Sequence, residues 1–276
     1  TWKAAPEICF ISLEFLFNCV GLGGSEMVCV VQMYEKPTLN NPVLIEGLPG
    51  IGFVANISAL HLVQELKAKL FAEIRSSSFQ DFAVTAKDGK ARSPINEFYY
   101  YKGRGEERDL IILYGNTQAL TTVGQYELCG RVLDVVEELG CHYVLTLGGL
   151  KREAKVAVPK LYCTASDSEV LDEALSLGAK KIRGRIFGLA GLLVGLGKLR
   201  GMNGLCLLAE TPGFYPDAEA AREVLKAVCK MLCLKVDLAR LDLATETTRK
   251  ILESFGLVVS PTEKRTGEES RFRWLI

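Results

Sequence analysis

Apolar and polar positions along the chain fall into short apolar runs and longer amphipathic ones, in an order that reads as strand, turn and helix. Pro42 to Glu46 is a short apolar run that reads as a buried strand over Val43 to Ile45. Gly47-Leu-Pro-Gly-Ile-Gly52 follows as a glycine-rich turn, and Phe53 to Leu66 as a helix burying Phe53, Ile57, Leu60 and Val63 at i, i+3, i+4 spacings. Asp109-Leu-Ile-Ile-Leu-Tyr114 is apolar without interruption, which places it mid-sheet beneath helices on both faces. A helix from about Thr122 to Leu139 comes next, then a second such strand, Tyr143 to Leu147, ending in Gly148-Gly149. Lys160 to Thr164 reads as a strand, and Asp167 as the N-cap of a helix from Ser168 to Leu177 that Gly178 stops. Gly204 to Ala209 is the last apolar strand, and Asp217 caps a helix from Ala218 to Leu232. A final helix from Leu238 to Phe255, with Glu246 and Lys250 at i, i+4, stops at Gly256.

Four stretches depart from this rhythm. Residues 1 to 26 do not share it, whereas Met27 opens a clean strand, Val28 to Met33, so the natural start is expected at Met27. Lys69 to Arg75 is a strand, but Phe82 to Ala86, the Asp88-Gly89 turn and Ile95 to Lys102 read as an inserted antiparallel hairpin. Ile186 to Gly197 carries glycines at 188, 191 and 195, a spacing that suits close helix packing; its length predicts a buried helix of a globular core rather than a membrane span. Ser260 to Ser270 is polar and aperiodic, and Arg271-Phe-Arg-Trp-Leu-Ile276 is an apolar end on that tether. The division expected is an extension over 1–26, one α/β domain over 27–256 and a flexible tail over 257–276.

Composition narrows the function classes. Hydrophobic residues make up 49% of the 276, enough for a substantial core, and 33 basic residues balance 33 acidic ones. With no global field and no basic-aromatic stripe, nucleic acid is not the expected partner. No run of about eighteen apolar residues predicts a membrane span. Nine scattered cysteines, most inside apolar runs, read as buried reduced thiols and point to a cytoplasmic setting. Cys229 and Cys233 have helical spacing but no second ligand pair, so no metal is expected.

Candidate chemistry centres on the turn. Gly47, Gly50 and Gly52 permit positive φ or close backbone approach, and a helix starting near Ile51 would point free N–H groups into the turn, where they could hold an anion. The spacing matches neither a dinucleotide fingerprint nor a phosphate-binding loop, so the turn reads first as a packing and interface element. An enzyme of phosphorylase type is the alternative, with Gly148-Gly149 lining a cleft at the strand ends and Arg75-Ser-Ser-Ser78 offering groups for phosphate. His61 within a helix and His142 at a buried strand read as structural. Asp217 and Glu219 suit a helix N-terminus, Cys129 lacks basic neighbours other than Arg131, and Ser58 has no nucleophile elbow. No catalytic residue and no cofactor is assigned.

Pro42-Val-Leu-Ile-Glu-Gly-Leu-Pro-Gly-Ile-Gly52, Gly148-Gly-Leu150, Gly188-Leu-Ala-Gly-Leu-Leu193 and Glu210-Thr-Pro-Gly-Phe-Tyr-Pro-Asp-Ala-Glu-Ala-Ala221 occur in an order that resembles the archaeal proteasome assembly chaperone family, from about Met27 to Gly256. The resemblance implies a nucleoside-phosphorylase-like, three-layer α/β/α sandwich with a mixed central sheet. It also implies a non-catalytic homo-oligomer and, for some relatives, binding to the proteasome α-subunit ring. Some relatives were labelled ATP-grasp proteins, but no matching nucleotide and metal constellation occurs here. Members that dock on the ring use a C-terminal hydrophobic-tyrosine-any signature. Trp274, Leu275 and Ile276 stand at its positions, Trp274 supplying the hydrophobic residue and Ile276 the free carboxylate. Leu275 replaces the tyrosine, so the hydroxyl contact is missing.

Overall fold

A computed structural model describes residues 29–85, 89–152, 158–213 and 216–241, together with Lys250. In chain order the strands are β1 (Cys29–Met33), β2 (Val43–Gly47), β3 (Lys69–Ser76), β4 (Val84–Thr85), β5 (Ala91–Arg92), β6 (Asn96–Tyr101), β7 (Leu110–Gly115), β8 (Tyr143–Lys151), β9 (Leu161–Ala165), β10 (Lys180–Lys181) and β11 (Asn203–Thr211). The helices are α1 (Val54–Glu65), α2 (Thr122–Glu137), α3 (Ser168–Ser176), α4 (Leu189–Leu199) and α5 (Ala218–Met231), with 3-10 turns at Ile51–Phe53 and Leu238–Arg240.

Nine strands form one open, mixed sheet in the order β1-β3-β6-β7-β2-β8-β11-β9-β10. β7, β2, β8 and β11 run parallel, and β6, β3 and β1 extend the sheet as an antiparallel wing. Period-two alternation sends Val43, Ile45, Leu110, Ile112, Leu145, Leu147, Leu205 and Leu207 to the layer built by α1, α3 and α5. Leu44, Ile111, Leu113 and Val144 face the opposite layer, with α2 and α4. Burial on both faces is why these strands read as continuous apolar runs. Side-chain caps start three helices: Thr121 accepts from the Gly124 N–H, Asp167 from Val170 and Asp217 from Ala220.

Several expectations need correction. β6 does not belong to an inserted hairpin. It lies within the main sheet between β3 and β7, where Phe98 is fully buried and its ring centroid sits 5.9 Å from that of Phe71. The short ribbon is instead β4 with β5, with Gly89 at φ 78°. β8 does not end at Gly148 but runs through both glycines to Lys151, each pairing with β11. The run over 186–197 is only partly a buried helix: α4 buries Leu189, Leu193, Val194 and Gly197, while Phe187, before the helix, is 81% exposed. His142 is exposed. Cys29, Cys129, Cys141, Cys163 and Cys206 are buried free thiols, whereas Cys233 is exposed. Residues 1–26, most of the helix expected over 238–255 and the tail lie outside the described residues.

The alternation of β2 places one acid inside the core. Glu46 points toward α2 and α4 and pairs in register with Leu113 and Thr146. It is 1% exposed; Oε1 accepts from the Leu48 N–H at 2.9 Å, while Oε2 and the neighbouring Thr146 Oγ1 have no partner among the described residues. Burial pushes the Glu46 carboxyl up to about 8, and likewise pushes the nearby Cys129 and Cys206 thiols up to about 12. The folded chain therefore holds a proton that the unfolded chain releases near 4.5. Its contribution is fully present below about pH 4.5 and is lost as pH rises to about 8. Glu46→Gln removes that slope: urea midpoints of the two proteins, measured across this window, should diverge until the variant is more stable by several kcal/mol at the alkaline end.

Candidate functional site

The β2–α1 turn stands at the carboxyl end of the parallel strands, where open α/β sheets bind ligands. Here the turn is packed tightly at Gly47, Ile51 and Gly52 and is open at Gly50. At Gly47 an added Cβ would collide with the Ala59 Cβ, so glycine lets α1 lie directly on β2. At Gly52, φ is 64° and an added Cβ would meet Thr211 Oγ1 at 2.6 Å. A side chain on Gly149 would run into the Ile51 carbonyl, which explains the glycine inside β8. Nothing lies within 4 Å of a Cβ built at Gly50. The helix begins later than Ile51: Ile51–Phe53 is a 3-10 turn, Phe53 is left-handed at φ 52°, and α1 starts at Val54.

Polar contacts occupy the turn's carbonyls. Asn56 Nδ2 donates to Gly47 O at 3.3 Å and to Gly115 O at 2.8 Å. Gln118 Nε2 donates to Pro49 O at 2.6 Å, and the Asp217 N–H to Gly52 O at 2.9 Å. Gln118 Oε1 accepts from the Leu189 N–H at 3.2 Å and from Gln125 Nε2 at 3.3 Å, so one amide joins the turn to the starts of α2 and α4. Across the edge, Thr211 Oγ1 donates to Asp217 Oδ2 at 2.8 Å, and Glu210 accepts from the Tyr162 hydroxyl at 2.9 Å and faces Arg152 at 3.5 Å.

The remaining sequence candidates are dispersed. His61 is buried in α1 with Nε2 3.0 Å from Asp237 O, and burial lowers its pKa. Arg75 is engaged by Glu73 at 2.7 Å, and the Ser78 N–H donates to Ser76 Oγ. Ser58 is buried with its hydroxyl donating to Val54 O at 2.7 Å. Cys129, its thiol raised by burial, is no activated nucleophile. Asp217 serves as the α5 cap, and Glu219 lies in the first turn of that helix. Among the described residues, no three or more His, Cys, Asp or Glu side chains gather so as to hold a metal ion. None of their helices is long and apolar enough to cross a membrane. Trp274, Leu275 and Ile276 lie outside the described residues.

What this end of the molecule exposes is apolar. Ile51 is 44% exposed, Leu120 63%, Val123 66%, Tyr126 52% and Phe187 81%. The Gln118 junction sets the turn, the start of α2 and the segment before α4 side by side, so these side chains share one edge. Periodicity did not reveal them: Val123 and Tyr126 lie inside the helix expected over 122–139, and Phe187 inside the apolar run over 186–197.

The chain is an open α/β sandwich, a mixed sheet with helices packed on both faces. Residues 44–255 match the PAC2 family, and the chain belongs to that family. PbaB of Pyrococcus furiosus, an archaeal proteasome activator, superposes with a TM-score of 0.74 at 39% identity, covering 83% of this chain and 98% of PbaB. PbaA of the same organism, an archaeal homolog of proteasome-assembly chaperone, gives 0.68 at 25% identity, with 83% and 98% covered. An uncharacterized protein of Methanocaldococcus jannaschii is 33% identical over 225 residues, 78% of this chain and 83% of its own length.

The glycine contacts make a differential prediction. Gly47→Ala should lower stability by about 2 kcal/mol or more, the size of an overpacked core site. Gly50→Ala, in open space, should change it by less than about 0.5 kcal/mol. Thermal unfolding followed by circular dichroism compares the two directly.

Proposed function

We propose that this chain is a non-catalytic proteasome assembly chaperone that works in the cytoplasm as a homo-oligomer on the proteasome α-subunit ring. The observation that carries the reading is its similarity to PbaB and PbaA over nearly the whole length of each. The close packing at Gly47, Gly52 and Gly149 supports it, since it takes up part of the edge where an α/β enzyme would hold substrate. In this reading residues 27–256 form the body and 257–276 the tether. Trp274 and the terminal carboxylate of Ile276 enter a groove between α-subunits, and Leu275 contributes apolar contact without a hydroxyl. Several copies of a weak tail on one oligomer gain avidity through their high effective concentration.

The greater identity to PbaB favours a second reading, engagement of the assembled particle rather than of its intermediates. Isolated α-rings, pulled down with the full chain and with a form lacking residues 271–276, test the docking: retention by the full chain and at least a tenfold loss on truncation, roughly what loss of an anchor gives, is the expected result. Equal retention removes the tail from the mechanism. Stimulation of peptide hydrolysis by mature particles separates the activator reading from the assembly one.

Leu120, Val123 and Tyr126 support contact between copies. They form an apolar centre at the start of α2, whose flank is polar and ion-paired within the chain, Asp134 with Arg131 at 3.8 Å and with Arg200 at 2.7 Å. Val123→Asp with Tyr126→Asp should shift the mass measured by light scattering toward that of one chain. An unchanged mass assigns the contact to another surface.

A further inference from the structure

Between β10 and α4 the chain makes an arch, residues 182–188, pinned at both ends. Ile182 and Ile186 pack against Val194, Cys206 and Leu208, and the Ile182 N–H donates to Cys163 O at 3.0 Å. At the far end Gly188, at φ 78°, fits where an added Cβ would meet Gln118 Oε1 at 3.0 Å. Gly191, in the first turn of α4, lies against the Ile186 carbonyl. Ile182 and Ile186 are half-buried, whereas Arg183, Gly184, Arg185 and Phe187 are exposed, Phe187 to 81%. Lys180 and Lys181 of the edge strand β10 are exposed beside them.

Among the described residues, none of these four cations takes part in an ion pair. Arg75, Arg131, Arg152, Arg200 and Arg240 each face a carboxylate within 2.7 to 3.8 Å, while Arg92, Arg104 and Arg108, like the arch arginines, face none among the described residues. Lysines on an edge strand guard it against strand addition, which accounts for Lys180 and Lys181. It does not account for two arginines and a bare aromatic ring on a rigid arch. Arginine and aromatic side chains are the types enriched at interface cores, where lysine is depleted. A guanidinium can bind a carboxylate through two parallel hydrogen bonds, and a backbone already fixed on both sides loses little entropy on binding.

We propose that the 182–188 arch docks an acidic peptide segment of a partner protein, with Arg183 and Arg185 binding carboxylates and Phe187 receiving an adjacent apolar side chain. Phe187 also belongs to the apolar edge described above, whereas Arg183 and Arg185 do not, and the inference does not rest on the proteasome reading. Two arginines beside an aromatic ring suit a short acidic and apolar segment better than a nucleic-acid backbone, which needs a longer run of cations to build affinity.

Fluorescence anisotropy on the full chain tests it, with a fluorescein-labelled peptide carrying two aspartates and a leucine as the probe. Arg183→Glu with Arg185→Glu should weaken binding about tenfold or more, and Phe187→Ser comparably, as hot-spot losses do. Lys226→Glu on α5 should leave binding unchanged, and a peptide with asparagine in place of aspartate should not bind. Equal thermal midpoints show that the variants, all at exposed positions, keep their fold. The proposal is overturned if the arginine pair or Phe187 can be changed without effect, or if labelled single-stranded DNA of equal charge binds as tightly.

Discussion

The close approach of backbone to backbone at the carboxyl ends of β2, β8 and β11 is the constraint on which the rest of the molecule depends. Gly47 admits α1 onto the sheet, Gly149 admits the Ile51 carbonyl, and Gly52 admits Thr211. Each contact is shorter than a methyl group allows, so the three loops converge only because the side chains are missing. Asp217 then ties the apex to α5 through its backbone N–H to Gly52 O and its side chain to Thr211 and Ala220. The helix layers on both faces inherit their positions from this knot.

An open crevice at a topological switch point is the usual ligand site of such sheets; here the chain packs closely against itself at Gly47, Gly52 and Gly149. Polar groups that might have been catalytic act as structural fasteners: Asn56 on two carbonyls, Gln118 across three segments, Asp217 as a cap. The surface left above them is apolar, with a basic arch to one side, a combination suited to other proteins.

The interior carries one group at odds with its surroundings. Glu46 sits on a strand whose neighbours are apolar, and burial alone accounts for its raised carboxyl, with only the Leu48 N–H to offset it. A neutral acid there connects the core to the glycine turn, because Oε1 holds the first amide after Gly47. Its cost is set by desolvation rather than by a neighbouring charge, since no ionic partner offsets it.

The sequence by itself determined what depends on a few consecutive residues. The order of strands and helices, the apolar runs of β2, β7, β8 and β11, the Asp167 and Asp217 caps and the family all follow from period, cap chemistry and motif, which act within one or two turns of chain. Tertiary structure decided the rest. Asn96 to Tyr101 could have been half of a hairpin by its own pattern, and joined the main sheet because Phe98 meets Phe71 there. Gly148-Gly149 looks like a strand end until Ile51, far away in sequence, requires the space. The Gln118 contact with Pro49 spans 69 residues, and no local signal marks an amide for that use. Likewise Arg183 and Arg185 carry no local signal and Phe187 reads as part of the apolar run over 186–197; they become one surface only when Ile182, Ile186 and Gly188 are pinned to elements that the sequence places elsewhere.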